Sequence, residues 1–330
     1  MTPSLVWVVG RGGLVGSQIE RLVPREIPNA TCWVPALPAF PWNEPTRLAH
    51  ELEKAAWAFS QAAREREAAW MVLWCAGAGG VGTAPEALRR ETSALQQLLG
   101  YLSAGKAQEP KPSPGLLLLC SSAGGVYGTN VDLPLTEDSP CSPISEYGRN
   151  KVRQEEHVRR WVEETPGVSC LIARISNLYG PGQCLTRPQG LISRLSQNMV
   201  YRRPLNIYVP LDTLRDYLYV DDSARYILRC LARLRESERR AAVVKIFAAE
   251  HSISIAAVIG IFFRVVKRPA RVLCMPHAMN PQQPGRLRFR SRLWSDLAPP
   301  ALDLAAGVRA VYQYHLSLFQ LGRLPPPPDP

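Results

Sequence analysis

The sequence predicts an α/β fold built on a doubly wound parallel sheet. Short apolar runs of strand length alternate with longer helical patterns, the order that a parallel sheet with crossover helices requires. The first run, residues 5–9, leads directly into a glycine-spaced turn and an amphipathic segment, residues 17–22. With 330 residues, the chain is long enough for one large α/β domain and a smaller lobe.

The elements can be assigned in chain order from their composition. The apolar runs are predicted strands at residues 5–9, 31–34, 70–75, 116–120, 168–175 and 243–248. The amphipathic or charged stretches are predicted helices at residues 17–22, 47–66, 84–102 and 147–164, with a closing helix around 307–319. Two segments rich in Pro, Arg and Gln, residues 180–213 and 269–297, interrupt the alternation.

Composition limits the class of protein. The longest apolar stretch, residues 253–263, ends at Arg264, short of the length that spans a bilayer. The first strand starts too near Met1 for a signal peptide, so we expect a cytoplasmic protein without membrane contact. Eight cysteines and five histidines are scattered singly, which predicts neither disulfides nor a metal site. The net charge of +11 is spread without a basic run, which favours anionic ligands over nucleic acid.

The glycine-spaced turn is formed by Gly10, Gly13 and Gly16. Gly10 permits a tight turn, Gly13 lets the backbone approach a phosphate, and Gly16 allows the helix to pack closely on the sheet. A turn of this kind lays a dinucleotide pyrophosphate on the amides of the helix terminus. The sequence therefore predicts a Rossmann-type domain with cofactor contacts at Gly10, Gly12, Gly13, Leu14, Val15 and Gly16.

A second group of residues supplies proton-transfer chemistry. Tyr147 and Lys151 lie four positions apart, so on a helix their side chains project from the same face. A nearby ammonium stabilises a tyrosinate, which makes Tyr147 usable as a general acid or base. Ser121 and Ser122 directly follow a predicted strand, where a hydroxyl at the carboxyl edge of the sheet can hydrogen-bond a reacting oxygen.

Together with the glycine turn, this serine, tyrosine and lysine set resembles the extended short-chain dehydrogenase/reductase superfamily, specifically the NAD-dependent epimerase/dehydratase family that acts on nucleotide sugars. Residues 76–78, 174–182 and 215–222 and the closing helix agree with it in order along the chain. The resemblance implies NAD as cofactor, a nucleotide-sugar substrate, and a homodimer formed through the helices at 84–102 and 147–164.

The resemblance also implies roles for single residues. Tyr147 and Lys151 bind the nicotinamide ribose in the family, and the tyrosine moves a proton while the nicotinamide takes or gives a hydride. Further cofactor contacts are expected at Ala76, Gly77 and Ala78.

On the substrate side, the catalytic hydroxyl falls on Ser122, with Ser121 as the alternative because the chain has one extra residue before the Val-Tyr-Gly sequence. Asn177 matches an asparagine that contacts the phosphate-sugar region of the substrate. Arg215 matches an arginine that pairs with the diphosphate, and Arg286 is the candidate for a second one.

These assignments divide the chain into two parts. Residues 1–178, continued by 216–250, form the dinucleotide-binding domain. Residues 179–215 and 251–330 form a smaller, discontinuous C-terminal substrate-binding lobe.

The chain departs from the family pattern at several places. Residues 35–37, after the second strand, include neither an acid for the adenosine ribose nor an arginine for a 2′-phosphate, so the choice between NAD and NADP stays open. Trp42-Asn43-Glu44 stand where relatives have an aspartate that contacts adenine, and Glu91-Thr92 stand where many relatives carry an asparagine. Ala123 and Gly124 replace the Asp-Glu pair with which dehydratases of the family eliminate water.

The leading hypothesis is therefore an NAD(P)-dependent epimerase of a nucleotide-diphosphate sugar, working through a keto-sugar intermediate with Tyr147 as acid and base. An NAD(P)H-dependent reductase of a keto-sugar nucleotide uses the same residues and is the alternative. A non-catalytic dinucleotide-sensing protein is less favoured, because the chain keeps the serine, the tyrosine and the lysine.

Overall fold

The computed structural model describes residues 3–107, 114–128, 133–186, 189–237, 241–275, 285–294, 296–297 and 302–327. Its centre is a six-stranded sheet formed by β1 (Ser4–Val9), β2 (Ala30–Trp33), β3 (Ala69–Trp74), β4 (Gly115–Ser122), β5 (Val168–Ile175) and β9 (Ala242–Phe247), numbered along the chain. All neighbouring strands are parallel, in the order β2-β1-β3-β4-β5-β9. The predicted α/β class is confirmed, and each predicted strand is present.

Helices cover both faces of this sheet. They are α1 (Leu14–Glu26), α2 (Pro45–Glu65), α3 (Pro85–Ala107), the short α4 (Ala123–Val126), α5 (Glu146–Glu164) and α7 (Val220–Glu236). Because side chains alternate along a strand, β1 feeds two separate cores. Trp7 and Val9 pack under α2, α3 and α5, whereas Val6 and Val8 pack under α1 and α7. A strand buried on both faces explains why β1 is a continuous apolar run rather than an alternating one.

Within the described residues, the sheet lacks one strand of the doubly wound order 3-2-1-4-5-6. In that part of the chain, β2 pairs only with β1 and forms the edge of the sheet. The chain passes from β2 through residues 34–44 directly into α2, with no strand between them. A groove of about 770 Å³, lined partly by Trp33, Phe40 and Trp57, lies beside this edge. The shortened region after the second strand therefore removes a whole strand from the adenosine side of the sheet.

The remaining elements build a smaller lobe. One three-stranded sheet has the order β10-β8-β6, with β6 (Asn177–Tyr179), β8 (Leu214–Tyr219) and β10 (Ser252–Ser254), and a pair joins β7 (Leu205–Ile207) to β11 (Val272–Cys274). The helices of this lobe are α6 (Leu191–Tyr201), α8 (Ile255–Val266) and α9 (Leu304–Gln320). Since β8 belongs to this sheet while the following α7 covers the central one, the chain crosses between the two parts near residue 219. The division into two domains stays a prediction.

The glycine turn brings three elements into close contact. Gly10 has a positive φ of 89°, and a Cβ there would lie 2.5 Å from the amide nitrogen of Ala76 after β3. A Cβ on Gly16 would lie 2.4 Å from the carbonyl oxygen of Gly10. The amide of Gly13 donates to that same oxygen at 2.9 Å. Hence α1 can begin immediately above β1 only because these positions carry no side chain.

We expect Gly16→Ala to lower the free energy of unfolding by about 2 kcal/mol, because the added methyl group overlaps the Gly10 carbonyl and overpacks the turn. Gly12→Ala is the matched control, since a Cβ at Gly12 meets nothing within 4 Å. Urea denaturation of the two variants measures the difference. Equal stability of the two would contradict the close packing described for Gly16.

Candidate active site

The N-terminus of α1 offers unpaired donors at the end of β1. The helix begins after Gly13, no side chain of the described residues caps it, and its first turn carries no acidic residue. The first amides of a helix have no partner within the helix, so those of Leu14, Val15 and Gly16 can receive an anion. Space beside Gly12 is open. These residues fit the pyrophosphate of a dinucleotide, and the cofactor contacts expected at them stay a prediction.

Ser122 and Tyr147 flank the same glycine at the carboxyl edge of the sheet. The Ser122 hydroxyl caps α4 by accepting a hydrogen bond from the amide of Gly125 at 3.1 Å. A Cβ on Gly125 would lie 3.2 Å from the Ser122 Oγ and 2.9 Å from the Tyr147 ring. Both side chains are half-buried. A substrate hydroxyl near Gly125 could therefore reach the serine and the tyrosine together.

Ser121 has a different role from Ser122, because successive residues of a strand face opposite sides. Its hydroxyl is buried and donates to the Glu155 carboxylate at 2.7 Å. Arg174 of β5 donates to both oxygens of the same carboxylate, at 3.0 and 2.7 Å. We therefore keep Ser122 as the proposed catalytic hydroxyl and assign Ser121 to the network that holds α5 on β4 and β5.

The Arg174–Glu155 pair extends to the loop after α4. Arg174 also donates to the hydroxyl of Tyr127 at 2.7 Å, and Tyr127 donates to the carbonyl of Thr136 at 2.8 Å. Burial acts to lower the pKa of Arg174, but its hydrogen bonds and charge pairing with Glu155 outweigh burial and raise it. The guanidinium therefore stays charged inside the protein and needs its carboxylate.

Lys151 lies one helical turn below Tyr147, as the spacing predicts. Its Nζ is 5.9 Å from the centre of the Tyr147 ring and donates to Glu91 and Gln154, each at 3.0 Å. Lys151 is only 5% exposed. The glycine loop after β3, with Gly77 and neighbouring small residues, approaches the same place, because a Cβ on Gly77 would lie 2.9 Å from the Glu91 carboxylate. The predicted cofactor loop and the predicted catalytic lysine thus meet at one acid.

Of the other proposed substrate residues, Asn177 and Arg215 lie on strands of the smaller lobe. Asn177 on β6 donates from Nδ2 to the backbone oxygen of Asp216 at 3.1 Å. Asp216 is fully buried and accepts hydrogen bonds from Ser176, just before β6, and from the backbone amides of Ala249 and His251, so it ties β8 both to β6 and to the segment between β9 and β10. Its neighbour Arg215 is half-buried, and desolvation lowers its pKa. Arg286 lies on the adjacent segment, in a backbone bridge to the residue before Arg215.

Arg215 has the features of an anion-binding cation. No carboxylate among the described residues forms an ion pair with it, and its Nη1 donates to the carbonyl of Leu214 at 2.9 Å. Arg286 is exposed and close to it in the sheet register. The backbone bridge places the two residues on neighbouring segments, and their binding of one diphosphate stays a proposal for both.

Sequence reasoning missed the two acids that organise the site. The sequence pattern marks Glu91, together with Thr92, only as a departure from the family, and nothing in it singles out Glu155. Their partners lie 60 residues away for Lys151 and 19 residues away for Arg174, beyond any local spacing rule. The one available signal was the unusual acid at position 91 itself. Within the described residues, no group of three or more His, Cys, Asp or Glu side chains is arranged to hold a metal ion.

We expect Glu155→Gln to lower the free energy of unfolding by about 3–5 kcal/mol, because it leaves the buried Arg174 charge without its carboxylate. Glu146→Gln on the same helix is the control. Glu146 pairs with the exposed Arg149 and Arg153, so stability should stay near that of the parent protein. Chemical denaturation at pH 7 measures both, and an unchanged midpoint for Glu155→Gln would contradict the anchoring role.

Parts of the chain are similar in sequence to curated proteins that are named as enzymes of nucleotide sugars. The dTDP-4-dehydro-6-deoxyglucose reductase of Escherichia coli is 36% identical over 106 residues, which is 32% of this chain and 33% of that protein. A putative UDP-glucose 4-epimerase of Methanocaldococcus jannaschii is 33% identical over 115 residues, 35% of this chain and 37% of that protein. The matched segments thus span about a third of the length of these curated relatives.

Solved structures show the same fold over almost the whole chain. The UDP-glucose 4-epimerase of Thermus thermophilus, in complex with NAD, has a TM-score of 0.73 at 18% identity and covers 94% of this chain and 98% of its own. RMD from Pseudomonas aeruginosa, complexed with NADPH, has a TM-score of 0.73 at 21% identity, with coverages of 96% and 99%.

Among the described residues, no helix has the length and apolar surface needed to cross a bilayer.

A family model extends the match beyond the short segments shared with the curated relatives. The model described as the NAD dependent epimerase/dehydratase family matches residues 6–244, from β1 to β9. That match includes the glycine turn, β4 with Ser122, and α5 with Tyr147. The chain therefore belongs to the NAD-dependent epimerase/dehydratase family.

Proposed function

We propose that the protein is an epimerase of a nucleotide-diphosphate sugar. The observation that carries the proposal is the convergence of Ser122, Tyr147 and Lys151 on one edge of the sheet, beside the uncapped N-terminus of α1. A nicotinamide dinucleotide held there supplies a reversible hydride acceptor. Among the relatives, UDP-glucose 4-epimerases support inversion as the outcome.

The protein's own groups handle the proton. Tyr147 takes the proton of a sugar hydroxyl as its carbon is oxidised and returns it when the carbonyl is reduced. Ser122 hydrogen-bonds the reacting oxygen, and the Lys151 ammonium stabilises the phenolate. Inversion then requires that the keto sugar present its other face before reduction, so the pocket must hold the diphosphate firmly and the sugar loosely. Arg215 and Arg286 supply the firm contact.

A keto-sugar nucleotide reductase is the second candidate. The same three residues would protonate the oxygen that forms during reduction, and one relative is a dTDP-4-dehydro-6-deoxyglucose reductase. The end of β2 favours neither NAD nor NADP, because Val34 and Pro35 follow it where a ribose-binding acid or a phosphate-binding arginine would stand.

A dehydratase is disfavoured even though several relatives are dTDP-glucose 4,6-dehydratases. Elimination of water needs an acid and a base beside the hydroxyl residue. The two positions after Ser122 are Ala123, which is fully buried, and Gly124, and neither can transfer a proton.

A cytoplasmic homodimer joined through α3 and α5 is part of the proposal. These helices pack side by side, and Gln96 and His157 form a hydrogen bond across their exposed side. Light scattering should then give twice the chain mass of 36.6 kDa. A mass equal to that of one chain would contradict the homodimer and would leave the proposed reaction unaffected.

We expect Tyr147→Phe to reduce turnover by about two orders of magnitude or more, because the acid/base hydroxyl is lost while the ring remains. Cofactor binding should be largely intact. Inversion of UDP- and dTDP-hexoses is followed by NMR, and dinucleotide binding by fluorescence. Tyr314→Phe, at an exposed position of α9, is the matched control and should keep full activity. Undiminished turnover of Tyr147→Phe would remove the tyrosine from the mechanism.

A further inference from the structure

Glu91 occupies an unusual place for an acid, since it lies against the lysine of the proposed catalytic pair. It stands on α3 and reaches across to α5, where its Oε1 accepts from Lys151 Nζ at 3.0 Å and from Gln154 Nε2 at 3.2 Å. The side chains of Glu91 and Lys151 are 10% and 7% exposed. A pair so shielded from water interacts more strongly than a surface pair.

The second oxygen of Glu91 points to the cofactor loop. Oε2 accepts a hydrogen bond from the amide of Gly79 at 3.2 Å. A Cβ on Gly79 would lie 3.3 Å from that oxygen and 3.5 Å from Cδ2 of Tyr147. The Glu91 carboxylate therefore contacts both the loop after β3 and Lys151. Gly79 is the residue that separates this carboxylate from the Tyr147 ring.

The charge balance at this point follows from the groups that surround it. Burial tends to raise the pKa of Glu91, but the Lys151 ammonium and three hydrogen bonds outweigh burial, and the pKa is lowered. For Lys151, burial acts to lower the pKa, and the Glu91 charge outweighs it and raises the value. The other titratable groups that face Lys151 are Tyr147 and, from β4 below, the thiol of Cys120. Both members of the pair are therefore charged at neutral pH.

We propose that Glu91 is a positioning residue that fixes the rotamer of Lys151, ties it to the Gly79 loop, and offsets the ammonium charge beside Tyr147. The inference deepens the proposed function and rests on Tyr147 being its acid/base group. An ammonium paired with a carboxylate stabilises a neighbouring phenolate less than a free ammonium does. Glu91 thereby limits how strongly the Lys151 ammonium acts on the Tyr147 hydroxyl.

The test replaces the carboxylate and follows ionisation of Tyr147 without any substrate. Phenolate absorbance at about 295 nm is titrated in each protein and in the same protein carrying Tyr147→Phe, so that the difference reports this one tyrosine. Glu91→Gln should move the midpoint of that difference about one pH unit lower, because the Lys151 charge is no longer offset. Glu91→Asn removes the same charge with a shorter side chain and serves if Glu91→Gln does not fold.

Glu86→Gln is the matched control on α3, since Glu86 forms its ion pair with the exposed Arg89 and not with Lys151. It should leave the midpoint unchanged. Glu91→Asp retains a carboxylate and should restore most of the parent behaviour. A midpoint that stays in place in a folded Glu91→Gln protein overturns the proposal. The titration needs no turnover, so its result is independent of whether the protein proves to be an epimerase. If it is an epimerase, the pH profile of Glu91→Gln turnover should move in the same direction as the titration midpoint.

Discussion

The burial of charged groups along α5 is the constraint on which the candidate site depends. A parallel sheet covered on both faces leaves little room for charge, and an unpaired ion there is costly. Near the middle of α5, Glu155 is compensated by its hydrogen bonds from Arg174 and Ser121. One turn after Tyr147, Lys151 is compensated by Glu91, which reaches it from α3. Each acid therefore fixes part of the helix against strands or loops that lie far away in sequence.

The glycine turn imposes the complementary constraint at the other side of the site. Gly10 and Gly16 let α1 and the end of β3 approach so closely that any side chain would collide with backbone. The glycine turn is thus closely packed. The adenosine end is different, because no strand of the described chain flanks β2 on its outer side, and Pro35 follows Val34 without a polar group for the ribose.

Much of the fold could be predicted because its signals are local. A four-residue spacing determines that Tyr147 and Lys151 share a helix face, and six apolar runs mark the six strands of the central sheet. The three-residue strands of the smaller lobe, such as β6 and β10, are too short to show a period. Sequence also left Ser121 and Ser122 as alternatives. Only the strand register shows that the Ser121 hydroxyl turns inward to Glu155.

The proposed epimerase mechanism requires that the chain hold its dinucleotide through the catalytic cycle and return the hydride that the dinucleotide takes. The most direct measurement is to denature freshly purified protein and identify the released dinucleotide by mass and absorbance. We expect NAD in stoichiometric amount, retained by the proposed contacts at the glycine turn and at Lys151. Protein that releases no dinucleotide, and that consumes added NADH or NADPH with a keto-sugar nucleotide, would contradict the epimerase and establish the reductase.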